Sequence, residues 1–375
     1  MSNLKGPLPL LFSVIVIDLI GFGIVVPILP FYAVQYGANA TILGLILTSY
    51  SAMQFLFSGP WGRLSDRIGR RPVILITLVG TSFSLILLGM ARSIPWLFAG
   101  RILSGIFAAN VSVASAYVVD VTSEADRSRG MGLIGAAFGV GFILGPAIGG
   151  LLAPFGYHLP ILAAGGLAAI NCVYASLSLR EPERHHQIEE KMKPSSWSQG
   201  AILKPCLVWF VFSVGVSQLE ATFALFMMDR FHSDAMHVSY LLAAMAVIMV
   251  AIQGGAIRAL TNRFGEKNLL LAGSLILAAS FVLIPFPTRI LLLAVPLLFA
   301  SVGRGFFQPS LMSLVSKRAE PARRGSVMGR LQSSASLGRV VGPLAAGLLY
   351  DQSITDPYYL TAGLMVVVLV VSWEI

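Results

Sequence analysis

The chain is written in long apolar runs broken by short polar stretches, with little of the strict alternation that marks a half-buried strand. The first run, "LPLLFSVIVIDLIGFGIVVPILP" from Leu8 to Pro30, holds one charge, Asp18. Runs of this kind recur at about 8 to 30, 41 to 61, 73 to 91, 96 to 119, 131 to 153 and 159 to 179. Six more follow at about 205 to 228, 237 to 257, 268 to 286, 291 to 314, 327 to 349 and 358 to 375. A helix needs about 20 apolar residues to cross a hydrocarbon layer of about 30 Å, so the pattern predicts twelve membrane spans. Barrel strands would be shorter and would alternate, and only helices or closed barrels satisfy the backbone in lipid. The predicted class is therefore an all-α membrane protein. Lys5 before the first run superficially resembles a signal peptide, but no small-residue cleavage pattern follows, and the run reads as a retained span.

Composition agrees, with 56% hydrophobic residues and 11% charged against roughly 25% charged in globular domains. The net charge of +9 is explained by where the bases fall. With the N-terminus inside, twenty of the 26 Lys and Arg lie in inner loops or at the ends of spans facing them. Outer loops hold Arg92, Arg230 and Arg289, and Arg101, Arg304 and Arg339 lie within spans. By the positive-inside rule both termini are cytoplasmic, and nucleic-acid binding is not needed to explain the charge. The lipid bilayer is the first partner.

Between the sixth and seventh runs lies the longest polar stretch, from Arg180 to Lys204. It divides the chain into an N-terminal six-helix bundle at 1–180, a cytoplasmic linker at 181–204 and a C-terminal bundle at 205–375. His185 and His186 in this linker read as incidental, and Cys172 and Cys206 as buried thiols. The halves match each other: "GFILGPAIGGLL" from Gly141 corresponds to "GRVVGPLAAGLL" from Gly338, an offset of 197. "DRIGRR" from Asp66 corresponds to "NRFGEK" from Asn262, an offset of 196. Two matches at nearly one offset indicate a duplicated six-helix unit, an architecture of transporters.

Several segments have a local physical reading. In "GVGFILGPAIGG" the residues Gly141, Gly145 and Gly149 share one helical face and permit close helix contact, while Pro146 adds a kink. In "GRLSDRIGRRPV" a cytoplasmic loop accounts for the arginines but not for Asp66, which stands near the positive start of the third span. Arg70 needs an acidic partner, and Asp120 at the end of span four is a candidate.

These segments, with "DLIGFGIVVPILP" in span one and "GRILSGIFAANVSVASAYVVD" in span four, resemble the major facilitator superfamily in its drug/proton antiporter branch. The first five spans are most similar to the tetracycline/proton antiporters. The resemblance implies twelve spans in two pseudo-symmetric bundles, an inner-membrane location, a monomer, and alternating access. It implies that the glycine segment is an antiporter motif sealing an inter-bundle interface, and that Gly62, Asp66, Arg70 and Asp120 form a gating latch. In the second half Arg258, Asn262 and Glu266 depart from the latch pattern, so no equivalent latch is expected there.

Charges inside the bilayer are costly and mark function. Asp18, Arg101, Glu220 and Arg304 fall in spans one, four, seven and ten, which surround the central cavity in the resembled fold. Asp18 is the candidate proton carrier, with Arg101 stabilising its charged form when the two approach; a static structural pair is the alternative. Glu220 either binds a cationic group, carries a second proton or is a cavity residue exposed to water. Arg304 either binds an anionic group or neutralises Glu220. Gln218, Gln308 and Asn110 complete the candidate substrate contacts, and Arg339 is left without an assigned role.

No Walker-type loop, metal-ligand cluster or nucleophile elbow stands at a credible position, so neither a cofactor nor a metal nor enzymatic catalysis is expected. The expectation is a secondary transporter exporting drugs or other small amphipathic molecules in exchange for protons. Close tetracycline exporters carry acids in spans three and nine, which "GTSFSLILLGM" and "LLLAGSLILAASFVLIPF" lack. The alternatives are a specific exporter of an anionic metabolite, lipid-like molecule or siderophore, and a receptor on the same scaffold.

Overall fold

The computed structural model describes residues 7–122, 127–182, 199–319 and 324–374. Among them the chain is helical throughout and holds no strand: α1 (Pro7–Gln35), α2 (Ala40–Ile68), α3 (Arg70–Gly89), α4 (Ile94–Phe107), α5 (Asn110–Val121), α6 (Arg127–Leu152) and α7 (His158–Ser178). These are followed by α8 (Gln199–Phe231), α9 (Ala235–Ala251), α10 (Ile257–Phe264), α11 (Glu266–Leu283), α12 (Ile290–Arg318), α13 (Arg324–Tyr350) and α14 (Asp356–Trp373). Among the described residues eleven segments are long and apolar enough to cross a membrane, α4 with α5 and α9 with α10 each counting as one. The twelfth expected span, α13, has the length, but Arg324, Arg330 and Arg339 interrupt its apolar character.

Several helices outrun their expected ends. The apolar pattern stops near Pro30 and near Pro60, yet α1 and α2 continue through both prolines to Gln35 and Ile68. Proline is tolerated in such helices because neighbouring groups re-satisfy the freed carbonyls. The seventh span begins at Gln199, within the stretch expected as linker; residues 183–198 of that stretch lie outside the described residues. Asp234 caps α9, accepting the His237 N–H at 2.9 Å. Partial burial pushes this carboxyl up, but the His237 amide and ring outweigh it and hold it below the usual range. The stabilisation it gives is present at neutral pH and lost as pH falls through the lowered value.

Helix pairing repeats across the chain. In the first half α1 packs on α6 and α7, and α3 on α7 and α4; in the second, α8 packs on α13 and α14, and α11 on α14 and α12. The duplication read from the sequence is thus repeated in helix contacts. Glycines set the closest of them. A Cβ at Gly145 would stand 2.6 Å from the Gly23 Cα, and one at Gly338 would stand 2.7 Å from the Phe210 carbonyl. The two glycine faces therefore do one job: they let backbone meet backbone.

Contacts divide the chain into two compact units, one of Met1–Ala38, Ser49–Met192 and Asp234–Ala243, the other of Asn39–Thr48, Lys193–Ser233 and Ala244–Ile375. The start of α2 therefore belongs with the second unit. There the Asp351 carboxylate accepts the Ala40 and Thr41 N–H groups, each at 3.0 Å, and the Thr48 hydroxyl donates to the Val340 carbonyl. The start of α9 belongs with the first unit, where Ser239 packs against Gly150.

Candidate functional site

The fourth span is broken in its middle. After α4 ends at Phe107, Ala108 leaves helical geometry and α5 restarts at Asn110. The break turns the Asn110 side chain onto α1, where its Nδ2 donates to Asp18 Oδ1 at 2.9 Å. The Asn110 amide oxygen faces the buried Thr77 hydroxyl of α3 as acceptor. Asp18 is partly buried, and Asn110 and Thr77 are buried. A carboxylate at this depth accepts one side-chain hydrogen bond and has no ion-pair partner among the described residues.

Arg101 lies elsewhere. Its guanidinium carbon sits 4.0 Å from the centre of the Tyr50 ring, and its Nε has no hydrogen-bond partner among the described residues. Tyr50 is followed by Phe22 at 5.8 Å and Phe142 at 6.0 Å from Phe22, so the arginine stands at the edge of an aromatic row. A desolvated cation over a ring gains about 2 kcal/mol, a modest return for a residue 5% exposed. The structure places Asp18 on Asn110 and Arg101 on Tyr50. Asn110, expected among the substrate contacts, is thus hydrogen-bonded to Asp18.

In the second unit Arg304 Nη1 donates to Glu220 Oε1 at 3.1 Å. Gln308 is one turn further along α12 and partly buried. Gln218 is fully buried, and two positions from Glu220 it projects to another side of α8; neither of its amide atoms has a partner among the described residues.

At the end of α2, Arg70 bridges two acids: Nη1 to Asp66 at 2.5 Å and Nε to Asp120 at 2.7 Å, with Ser65 Oγ also accepting at 2.7 Å. The first amides of α3 were expected to attract Asp66. Instead the N–H groups of Arg70 and Arg71 donate to the Glu181 carboxylate at 2.6 and 2.8 Å. Gly69, at φ 112°, makes the turn that presents them, a conformation open to glycine. Sequence reasoning missed Glu181 because it stands at the start of a polar stretch read only as linker. A Cβ at Gly62 would meet no atom of the described residues within 4 Å.

The second-half copy, where no equivalent latch is expected, also holds an ion pair at the corresponding place. Glu266 bonds Lys317, with Ser313 donating at 3.2 Å, and Gly265 at φ 78° precedes it as Gly69 precedes Arg70. Glu266 stands 196 positions after Arg70 and Lys317 stands 197 after Asp120, so the pair is retained with its signs exchanged. Matching residue by residue reads such an inversion as two losses.

No group of His, Cys, Asp and Glu among the described residues could hold a metal. The Major Facilitator Superfamily model matches residues 11–259 and 256–374. The chain is 32% identical to the tetracycline resistance protein, class C, of Escherichia coli, covering 93% of this chain and 91% of that protein. It is 30% identical to multidrug resistance protein 1 of Bacillus subtilis (strain 168), covering 100% and 98%. Among solved structures it is similar to the human organic anion transporter MFSD10, with TM-score 0.76 and 26% identity over 98% of each chain. A bacterial homologue of the lysosomal transporter Spinster, at TM-score 0.84 and 14% identity over 98% of this chain and 95% of that one, shares the fold. Matched along nearly its whole length, the chain belongs to the major facilitator superfamily of transporters.

Proposed function

We propose that this transporter exports small amphipathic organic molecules in exchange for protons, with Asp18 as the proton carrier. The observation that carries the reading is the lone carboxylate of α1 held by one uncharged donor at the break in the fourth span. Such a group has no fixed counter-charge, so its protonation can change with its surroundings. Discontinuous membrane helices are where transporters place ion and substrate sites. The names of the tetracycline and multidrug resistance relatives support a drug-like substrate. The chain works as a monomer in the inner membrane with both ends in the cytoplasm. In proteoliposomes, an imposed proton gradient is expected to drive accumulation of members of a panel of cationic, neutral and anionic amphiphiles. No gradient-driven accumulation of any of them contradicts the reading.

Asn110 is then a support of the proton site. Losing a hydrogen bond to a charged group costs about 1.5–3 kcal/mol, a tenfold to hundredfold effect. Asn110→Ala is expected to slow gradient-driven transport by at least tenfold; an unchanged rate removes this role.

The Arg70 network acts as a conformational latch. Its Asp66 side chain is 61% exposed and its Asp120 side chain 24%, so the second bond is the less screened. Asp120→Asn is expected to alter cysteine-labelling accessibility on the two membrane faces more than Asp66→Asn does. Equal or absent effects contradict the latch.

A further inference from the structure

One hydroxyl proton on α3 has three acceptors within reach. The Thr77 hydroxyl stands 2.8 Å from the Val73 carbonyl, 3.0 Å from the Ile74 carbonyl and in contact with the Asn110 amide oxygen. Thr122, Thr222 and Thr361 show the ordinary use of such a group, each donating to the carbonyl four residues back. An amide oxygen carries no proton, so its contact with Thr77 is attractive only where Thr77 donates to it instead. Thr77 and Asn110 are 0% and 7% exposed, and Ile74, Leu78, Ala109 and Val113, near them in the chain, belong to one buried apolar cluster. A donor or acceptor left unmet here is not answered by solvent.

With the Asn110 nitrogen on Asp18 Oδ1 at 2.9 Å, hydrogen bonds run from Thr77 through Asn110 to Asp18, every donor directed toward the carboxylate. That order suits a charged Asp18, but it offers no acceptor to the O–H that forms when Asp18 takes a proton. Reversal supplies one. A half-turn of the Asn110 amide lets its oxygen accept from Asp18 and its nitrogen donate to Thr77, whose own proton then returns to the Val73 carbonyl. The ionisable side chains of α5 and α7 closest in sequence are engaged elsewhere: Tyr117 donates to the Arg180 carbonyl, Cys172 to the Leu75 carbonyl, and Asp120 pairs with Arg70.

We propose that Thr77 is a positioning residue at the end of a reversible relay, donating to Asn110 when Asp18 is charged and accepting from Asn110 when Asp18 holds a proton. This rests on the reading of Asp18 as proton carrier and says how one uncharged amide serves both of its states. The only covalent change is the O–H bond made and broken on Asp18; the amide and the hydroxyl merely turn. Linked hydrogen bonds polarise one another, so the Thr77 end is felt at the carboxyl.

Difference infrared spectroscopy of the purified full-length protein in lipid, stepped between high and low pH with the Asp18→Asn spectrum subtracted, isolates the carbonyl stretch of protonated Asp18. Thr77→Val and Thr77→Ala, which both remove the hydroxyl, the first at nearly constant shape, are expected to move this band to higher frequency. Thr77→Ser, which keeps the hydroxyl, is expected to leave it at the wild-type position. In proteoliposomes the two hydroxyl-free variants are expected to slow gradient-driven transport about threefold to tenfold relative to gradient-free exchange, with Thr77→Ser restoring the wild-type ratio. In an Asn110→Ala background, Thr77→Val is expected to add nothing further. A band unmoved by loss of the hydroxyl, or moved equally by Thr77→Ser, overturns the relay. Gradient-driven transport that survives Asp18→Asn overturns the carrier reading, while a band that moves as described leaves the relay standing. A wild type with no Asp18 carboxyl band at low pH overturns both.

Discussion

Asp18→Asn is expected to abolish proton-driven transport entirely, with accumulation falling to that of empty proteoliposomes. Asparagine keeps the shape of the side chain and still offers an oxygen to the Asn110 Nδ2, so the hydrogen bond at 2.9 Å can persist and the fold is unaffected. What it cannot do is release a proton. Exchange of substrate in the absence of a gradient is expected to survive, because alternating access does not itself need the charge. Gradient-driven transport that persists in Asp18→Asn removes Asp18 as the carrier.

Gly145→Leu has the largest expected effect on stability. A Cβ there would lie 2.6 Å from the Gly23 Cα and 2.8 Å from the Ile20 carbonyl oxygen, both backbone atoms that cannot turn aside. Overpacking a well-filled core costs about 1–3 kcal/mol when side chains can shift. Here helices α1 and α6 must separate, so the cost lies at or above the top of that range. The variant is expected to lose most of its folded population in detergent, read as a sharp fall in Tm. Gly62→Ala, whose added carbon meets no atom of the described residues within 4 Å, is expected to melt like the wild type. Equal melting of Gly145→Leu and the wild type contradicts the packing account.

Much of the architecture was legible because lipid restricts the options: apolar length specifies helices, and two short matches at nearly one offset revealed the duplication that helix pairing repeats. The glycine face was legible for a similar reason, since a repeat of four has one structural meaning on a helix. Partners across the bundle were less so. Asp18 and Arg101 stood out as costly charges, but nothing in their own spans tells that a break after Phe107 hands Asp18 to Asn110, or that Arg101 turns to Tyr50. Arg70 with Asp120 could be paired because opposite charges in one region invite it. Glu181 could not, because what it binds are backbone amides that leave no mark in the sequence. Glu266 with Lys317 was hidden by its inverted signs.

Reciprocal coupling tests the central claim most directly. Proteoliposomes carrying a pH-sensitive dye are given a gradient of the most rapidly transported amphiphile, with no initial proton gradient and the membrane potential clamped. The account predicts proton movement opposite to the substrate, at a fixed ratio to it, in the wild type and none in Asp18→Asn. Substrate flux in the wild type with no opposing proton movement, or proton movement undiminished in Asp18→Asn, would contradict it.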